Sequence, residues 1–294
     1  MHDYLVSVLL GIVEGLTEFL PVSSTAHLRL SESLLGINLA NGYWKMYSIV
    51  IQLGAILSLL IYFWPRIVKF ISTFPRGERG NRSALDHPIT LVLIAFVVTS
   101  GPAFLLTKTI GTNLEKPYII GASLLIGGIV MWVVDAIYGR TPTSGRYKTE
   151  HLEEMSVLQA VWIGICQIAS AVFPGTSRSM STIAAGQMVG MSRPAALEFS
   201  FFLSIPTMAA ATLYTLFRTL HPKGATGVTA LGAMPSNGHE WMVLIIGFVV
   251  SFVVALVVVA WFMNWVRRRG FAPFAIYRII LGIAVLVWAG KGIV

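Results

Sequence analysis

Two stretches of the sequence share a pattern that restricts the fold: an apolar helical run is interrupted by proline and resumes behind a Ser/Thr cluster. Residues 11 to 31 read GIVEGLTEFLPVSSTAHLRLS, and residues 164 to 184 read GICQIASAVFPGTSRSMSTIA. An offset of 153 aligns Gly11 with Gly164 and Pro21 with Pro174. Because proline lacks the backbone N–H and clashes with the preceding turn, each stretch is predicted to form two short helices separated by a break.

The composition indicates that these broken helices lie in a membrane. The 294 residues are 55% apolar and only 12% charged, with a mean hydropathy of +0.76, whereas a soluble chain of this length needs more charged surface. Broken helices in both halves of a membrane chain are typical of inverted repeats. The predicted fold is an all-α polytopic membrane protein with six transmembrane helices plus two re-entrant helix-loop-helix hairpins in an inverted-topology repeat.

We predict a single integral membrane domain over 1–294. Repeat 1 covers about 1–138 with a re-entrant hairpin at 3–35, and repeat 2 covers about 155–294 with a hairpin at 155–190. Apolar runs predict spans at about 43–64, 88–107, 117–138, 194–217, 241–265 and 272–291. Pro88, Pro117, Pro194 and Pro273 stand at span beginnings, where the missing N–H costs little.

The basic residues predict the orientation. Twelve Lys and Arg residues lie in four segments that the predicted spans place on one side: 65–87, 139–154, the turn at Arg193 and 266–271. The opposite side holds six. The positive-inside rule assigns the first group to the cytoplasm and both termini to the outside. The net charge of +8 therefore indicates topology rather than nucleic-acid binding. Aromatic residues near span ends, such as Trp64, are typical of interfacial anchors.

Glu14 and Glu18 lie one helical turn apart and are predicted to share one helix face. Carboxylates inside a bilayer are costly and tend to mark functional sites. Two that lie close together either share a proton or hold a divalent cation. The alternative is a pair of hydrogen-bonded carboxylates with a packing role only.

Four polar side chains follow the first break: Ser23, Ser24, Thr25 and His27. Ser24 and His27 are three residues apart on one helix, which suits a hydroxyl nucleophile with a proton-transfer partner, or two groups that touch one phosphate. Ser23 and Thr25 are candidate phosphate-binding hydroxyls. The alternatives are ordinary helix capping for the serines and a core position for the histidine.

The second break carries the complementary chemistry in Ser177, Arg178, Ser179 and Thr182. Hydroxyls and the free N–H groups of a new helix form an anion cradle, and the planar guanidinium of Arg178 suits phosphate oxygens. We interpret both breaks as one composite site for an anionic, phosphate-bearing substrate. The alternative for Arg178 is a structural ion pair with Glu198.

Three further residues are candidates for support of the site. Glu198 is expected to pair with Arg178 or Arg278, or to bind the ion. Gln52 is an amide in an apolar run that needs a hydrogen-bond partner and could reach the site. Arg278 lies near the cytoplasmic end of the last span, which favours snorkelling to the interface.

Five motifs carry a family resemblance: EGLTEFLPVSSTAH, PGTSRSMST, VIQLG, EFSFFLSIP and PFAIYR. Together they closely resemble the undecaprenyl-diphosphate phosphatase family, also called the bacitracin-resistance protein family, over essentially the whole chain. The resemblance implies a hydrolase that removes the terminal phosphate of undecaprenyl diphosphate and regenerates the carrier lipid for cell-wall synthesis. The family's motif positions fall on Glu14, Glu18, Ser24, His27, Ser177, Arg178 and Thr182.

The resemblance also implies a divalent cation, Mg²⁺ or Ca²⁺, and a site that faces the outer side of the bacterial cytoplasmic membrane. It implies bacitracin resistance through competition for the lipid, no nucleic-acid partner, and a homodimer as one candidate assembly. The sequence departs from the family pattern at Ala26, at Met180-Ser181 and at Ser48, where an acidic residue is common.

These residues predict a metal-assisted phosphoryl transfer. Glu14 and Glu18 would hold the cation, and Arg178 would stabilise the transferred phosphate. Ser24, His27 and metal-bound water all fit the role of nucleophile. A transporter or flippase of a phosphorylated lipid or anion is the alternative, because inverted repeats with broken helices also occur in transporters.

Overall fold

The computed structural model describes residues 2–37, 42–77, 83–106, 116–139, 147–221 and 232–292. These residues form eleven α-helices and two short 3₁₀ turns, with no β-structure among them beyond one isolated bridge. The helices are α1 (His2–Thr17), α2 (Ser24–Leu34), α3 (Gly42–Tyr62), α4 (Trp64–Thr73), α5 (Pro88–Leu105), α6 (Pro117–Tyr138), α7 (Val157–Val172), α8 (Arg178–Met188), α9 (Arg193–Leu220), α10 (Gly238–Arg268) and α11 (Ala272–Gly290).

Six of these helices are long and apolar enough to cross a membrane: α3, α5, α6, α9, α10 and α11. This confirms the predicted all-α, multi-pass fold and its six spans, with bounds that differ by a few residues from those predicted. Prolines stand in the first turn of α5, α6 and α11 as expected. The re-entrant nature of the two hairpins and their inverted topology stay predictions.

The chain divides into two compact units. Unit 1 comprises Met1–Phe19, Ser24–Tyr62 and Ile205–Ala260, and unit 2 comprises Leu20–Ser23, Phe63–Ser204 and Trp261–Val294. The break of the first hairpin, Leu20–Ser23, therefore belongs to unit 2, whereas the two helices on either side of it belong to unit 1.

In unit 1, α1 packs closely against α10. A Cβ on Gly11 would meet the carbonyl oxygen of Gly247 at 2.8 Å, and a Cβ on Gly15 would meet that of Ser251 at 2.8 Å. Small residues one turn apart on both helices allow this packing, as the spacing of the two glycines in the first motif indicates. Ser7 donates to the Val243 carbonyl at 2.6 Å in the same interface.

In unit 2, glycine again permits close packing. A Cβ on Gly164 of α7 would meet the carbonyl oxygen of Ala95 in α5 at 2.7 Å, and one on Gly282 of α11 would meet the backbone nitrogen of Leu125 in α6 at 2.6 Å. The glycine that heads each repeated motif thus packs against a neighbouring span, Gly11 on α10 and Gly164 on α5.

Polar bonds in unit 2 join segments that the sequence assigns to one side of the membrane. Arg66 donates to Glu153 at 2.6 Å and to Glu198 at 3.0 Å. Asp135 accepts from Arg193 at 2.7 Å and from the Phe271 backbone N–H at 3.0 Å. These bonds tie 65–87 to 139–154, and the turn at Arg193 to 266–271, which agrees with the predicted grouping of the basic segments.

One helix was not predicted. The sequence from 65 to 87 carries proline and several basic residues and was expected to be a loop, but α4 forms its first part. Pro65 sits in the first turn of α4, where its missing N–H leaves no bond unmade.

Candidate active site

The first break separates α1 from α2 and brings Glu18 to Ser24. The Ser24 hydroxyl donates to Oε2 of Glu18 at 2.5 Å, and both side chains are buried. Glu14 is fully buried one turn before Glu18, and the Glu18 N–H donates to the Glu14 carbonyl at 2.9 Å. The predicted carboxylate pair therefore occupies consecutive turns, and one of its members contacts the candidate nucleophile.

Sequence reasoning missed the Ser24–Glu18 hydrogen bond. It paired Ser24 with His27, which lies half-buried one turn further along α2, and assigned Glu18 to a cation. The five residues between Glu18 and Ser24 cross the break, where helical periodicity no longer says which side chains meet. A carboxylate that accepts a serine proton is a base–nucleophile pair.

The second break has the same local design with different side chains. Ser177 caps α8, accepting from the Met180 N–H at 3.3 Å, and lies 3.0 Å from the Ser179 hydroxyl. Ser179 donates to the carbonyl of Leu20 at 3.0 Å. The hydroxyls of Ser177 and Ser179, predicted to bind phosphate, thus have structural partners that fix the break.

The two helix starts correspond more closely than the sequence offset suggests. Ser23 precedes α2 with φ 73°, and Ser177 precedes α8 with φ 70°, a left-handed conformation that is rare outside glycine. Ser23 therefore matches Ser177, and Ser24 matches Arg178 as first residue of the following helix. A hydroxyl begins one helix and a guanidinium begins the other.

Thr182 and Ser181 differ in their hydrogen bonding. The Thr182 hydroxyl lies 2.7 Å from the Ser200 hydroxyl and 3.0 Å from the Arg178 carbonyl. The buried Ser181 hydroxyl has no hydrogen-bond partner among the described residues. Thr182 thus stabilises α8 against α9, and its predicted contact with phosphate stays a prediction.

Arg278 is buried within unit 2. Its side chain is 0% exposed, and its guanidinium donates to the carbonyls of Pro21 at 3.1 Å, Gly175 at 3.0 Å and Thr176 at 2.8 Å. A fourth contact reaches the Ser123 carbonyl at 3.3 Å. The expectation that Arg278 snorkels to the interface is wrong, because loop carbonyls of both breaks bind its charge inside the protein.

The remaining predicted residues occupy varied positions. Glu198 accepts from Arg66, instead of from Arg178 or Arg278 as expected. Gln52 lies half-buried on α3, and Thr25 lies half-buried in the first turn of α2. Arg178 is half-buried at the start of α8.

The donor set restricts the kind of cation that the first break could hold. The described residues contain no group of three or more His, Cys, Asp or Glu side chains suited to a metal. Glu14 and Glu18 offer two buried carboxylates on consecutive turns. Mg²⁺ is commonly held by one or two carboxylates together with substrate phosphates, so these residues fit an ion that the substrate helps to bind.

These features define a class: a multi-pass, all-α membrane protein with two broken-helix elements that carry a serine–carboxylate pair and an arginine. Comparison with known proteins is more specific. The family model described as "Bacitracin resistance protein BacA" matches residues 7–284, and the chain belongs to this family.

Relatives match over nearly the full length. An "Undecaprenyl-diphosphatase" of Koribacter versatilis (strain Ellin345) is 62% identical over 291 residues, covering 99% of this chain and 100% of the relative. Proteins of the same name from Caldanaerobacter subterraneus subsp. tengcongensis and Rhizobium etli (strain CIAT 652) are each 38% identical. The former match covers 97% of this chain and 96% of the relative, and the latter covers 99% of each.

Proposed function

We propose that this chain is an undecaprenyl-diphosphatase, a membrane hydrolase that converts undecaprenyl diphosphate to undecaprenyl phosphate and inorganic phosphate. Family membership and full-length relatives of that name support the activity. The observation that carries the chemistry is the 2.5 Å hydrogen bond from Ser24 to Glu18.

Ser24 is the nucleophile in this proposal. Its Oγ attacks the terminal phosphorus while the hydroxyl proton passes to Glu18. The new O–P bond forms as the bond from that phosphorus to the bridging oxygen breaks, and undecaprenyl phosphate leaves. Water then hydrolyses the phosphoserine and releases inorganic phosphate. In the alternative reaction, Ser24 orients a water molecule that attacks the phosphorus directly, and His27 accepts the proton of that water.

Arg178 and the N-terminus of α8 bind the phosphate in this scheme. A guanidinium and free backbone N–H groups stabilise the charge on the equatorial oxygens in the transition state. Arg278 and Ser179 act indirectly, because they bind the carbonyls of the two breaks. The sequence repeat, whose two breaks carry complementary side chains, supports assigning both breaks to one substrate.

We assign the divalent cation, Mg²⁺ or Ca²⁺, to Glu14 and Glu18. When bound, it would neutralise charge on the diphosphate and polarise a phosphoryl oxygen. The two carboxylates repel each other in a low dielectric, so a cation also relieves the cost of their burial.

The proposed location is the bacterial cytoplasmic membrane, with the site open to the outer face and with a homodimer as one candidate assembly. Turnover there would lower the amount of undecaprenyl diphosphate available to bacitracin, which accounts for resistance.

Ser24→Ala tests the nucleophile. We expect phosphate release from a C55 diphosphate to fall by roughly a thousandfold or more, as for removal of other serine nucleophiles. Ser33→Ala, an exposed serine on the same helix, is the matched control and should retain wild-type release. A Ser24→Ala protein that keeps nearly full activity would overturn the assignment and favour a water nucleophile that needs no serine.

A further inference from the structure

Helix α4 has an exposed apolar side that the proposed reaction does not use. Trp64, Val68 and Ile71 are 61%, 44% and 63% exposed. Their spacing of four and then three residues aligns them along one side of the helix. We refer to these three residues as the α4 stripe.

The opposite side of α4 is fixed to unit 2. Phe70 is buried, with its ring 5.4 Å from that of Phe202 and 6.2 Å from that of His87. Arg66 is held by its ion pairs with Glu153 and Glu198. The helix therefore cannot rotate to bury the stripe without breaking these contacts.

The length and position of α4 exclude a membrane span. Its ten residues extend about 15 Å, half of the roughly 30 Å hydrocarbon thickness of a bilayer. Only Phe63 separates it from the end of α3, a helix long enough to span. A short helix directly after a span lies at the membrane boundary.

The polar residues around the stripe are basic. Lys69 lies on the flank of α4, and Arg76 is exposed just past its end. Short helices with an apolar stripe, a tryptophan and basic flanks lie in the plane of the interface, with the stripe about 5–10 Å into the boundary between headgroups and acyl chains. Basic residues at that depth attract anionic headgroups.

We propose that α4 is an interfacial helix that binds anionic membrane lipid: the stripe enters the bilayer boundary, and Lys69 and Arg76 contact the negatively charged headgroups. The partner is the membrane's own phospholipid. This site is independent of Ser24 and Arg178, and its test does not require enzymatic activity.

A spin label tests the depth of the stripe. The full chain with Cys166→Ala carries one new cysteine, either Val68→Cys on the stripe or Lys69→Cys on the flank, about 100° around the helix, in nanodiscs of phosphatidylcholine with or without phosphatidylglycerol. We expect the Val68 label to be accessible to oxygen at a depth of about 5–10 Å and the Lys69 label to be shallower and more accessible to a water-soluble relaxant. A Val68 label accessible to the aqueous relaxant would overturn the proposal.

Arg76→Gln tests the choice of lipid. Phosphatidylglycerol should move the Val68 label deeper, and Arg76→Gln should reduce that shift, whereas Arg267→Gln, an exposed arginine at the end of α10, should not. Equal depth in both lipids would refute the anionic preference. A short distance between Val68 labels of two chains would assign the stripe to a second copy and refute the lipid assignment.

Discussion

Arg278 provides the sharpest test of how the two breaks are held. Its guanidinium donates to loop carbonyls at Pro21, Gly175 and Thr176, and the side chain is fully buried. Arg278→Ala removes these donors at once. Arg278→Lys retains the charge but replaces the planar fork with a compact ammonium that cannot reach acceptors on separate loops.

The expected loss of stability in Arg278→Ala follows from the three loop carbonyls that lose their donor. Each buried acceptor left without a donor costs about 1–3 kcal/mol. The variant no longer buries a guanidinium, which offsets part of that loss, so we expect Arg278→Ala to destabilise unit 2 by about 3–5 kcal/mol. Arg278→Lys should lose about half as much, because its ammonium can still donate to the carbonyls of one of the two loops.

The sole cysteine makes the assay simple. Cys166 is half-buried on α7, so a thiol-reactive dye reports thermal opening of that helix. Arg267→Ala, which removes an exposed arginine, is the matched control. A Tm several degrees lower for Arg278→Ala than for Arg267→Ala is the expected result. Equal Tm values would refute the claim that Arg278 holds the breaks.

Two further perturbations test local features of unit 2. Gly175 has φ 96°, and a Cβ there would meet the Ile120 carbonyl at 2.5 Å. Gly175→Ala should therefore lower the free energy of unfolding by about 2 kcal/mol or more. The control Gly238→Ala, where a Cβ would enter open space, should not lower it. Burial would raise the pKa of Glu153, but the hydrogen bonds from Arg66 outweigh it and hold that pKa below the ordinary glutamate value. The ion pair thus contributes stability above pH about 4.3 and loses it as pH falls through the lowered pKa. Glu153→Gln should lower Tm at pH 7 and make Tm less sensitive to pH below 5. A Tm that falls below pH 5 as steeply as in wild type would contradict this.

Hydrophobic run length predicted the spans well, because a helix that crosses a bilayer needs about 20 apolar residues whatever its neighbours are. The same reasoning missed α4, whose proline and basic residues resemble a loop. Its apolar stripe recurs only twice after Trp64, too few repeats to identify a helix from periodicity alone.

The polar partners were harder to predict. Arg278 binds carbonyls supplied by loops that lie more than 100 residues away in the chain, and no local pattern encodes that. Glu198 was expected to pair with an arginine of the motifs, but Arg66 reaches it from α4. The family and the fold class could be predicted from the motifs, whereas the Ser24–Glu18 contact depends on the geometry of the break.

Phosphate release from a C55 diphosphate by the purified chain tests the central claim most directly. Wild type, Glu18→Gln, Arg178→Ala and the double variant are compared with and without EDTA. We expect metal-dependent release that falls roughly a hundredfold or more in each single variant, a loss of about 2.7–4 kcal/mol of transition-state stabilisation. The double variant should lose less than the sum of both, because the two groups act on one substrate. No release by folded wild type in Mg²⁺ or Ca²⁺ would contradict the account and favour a transporter.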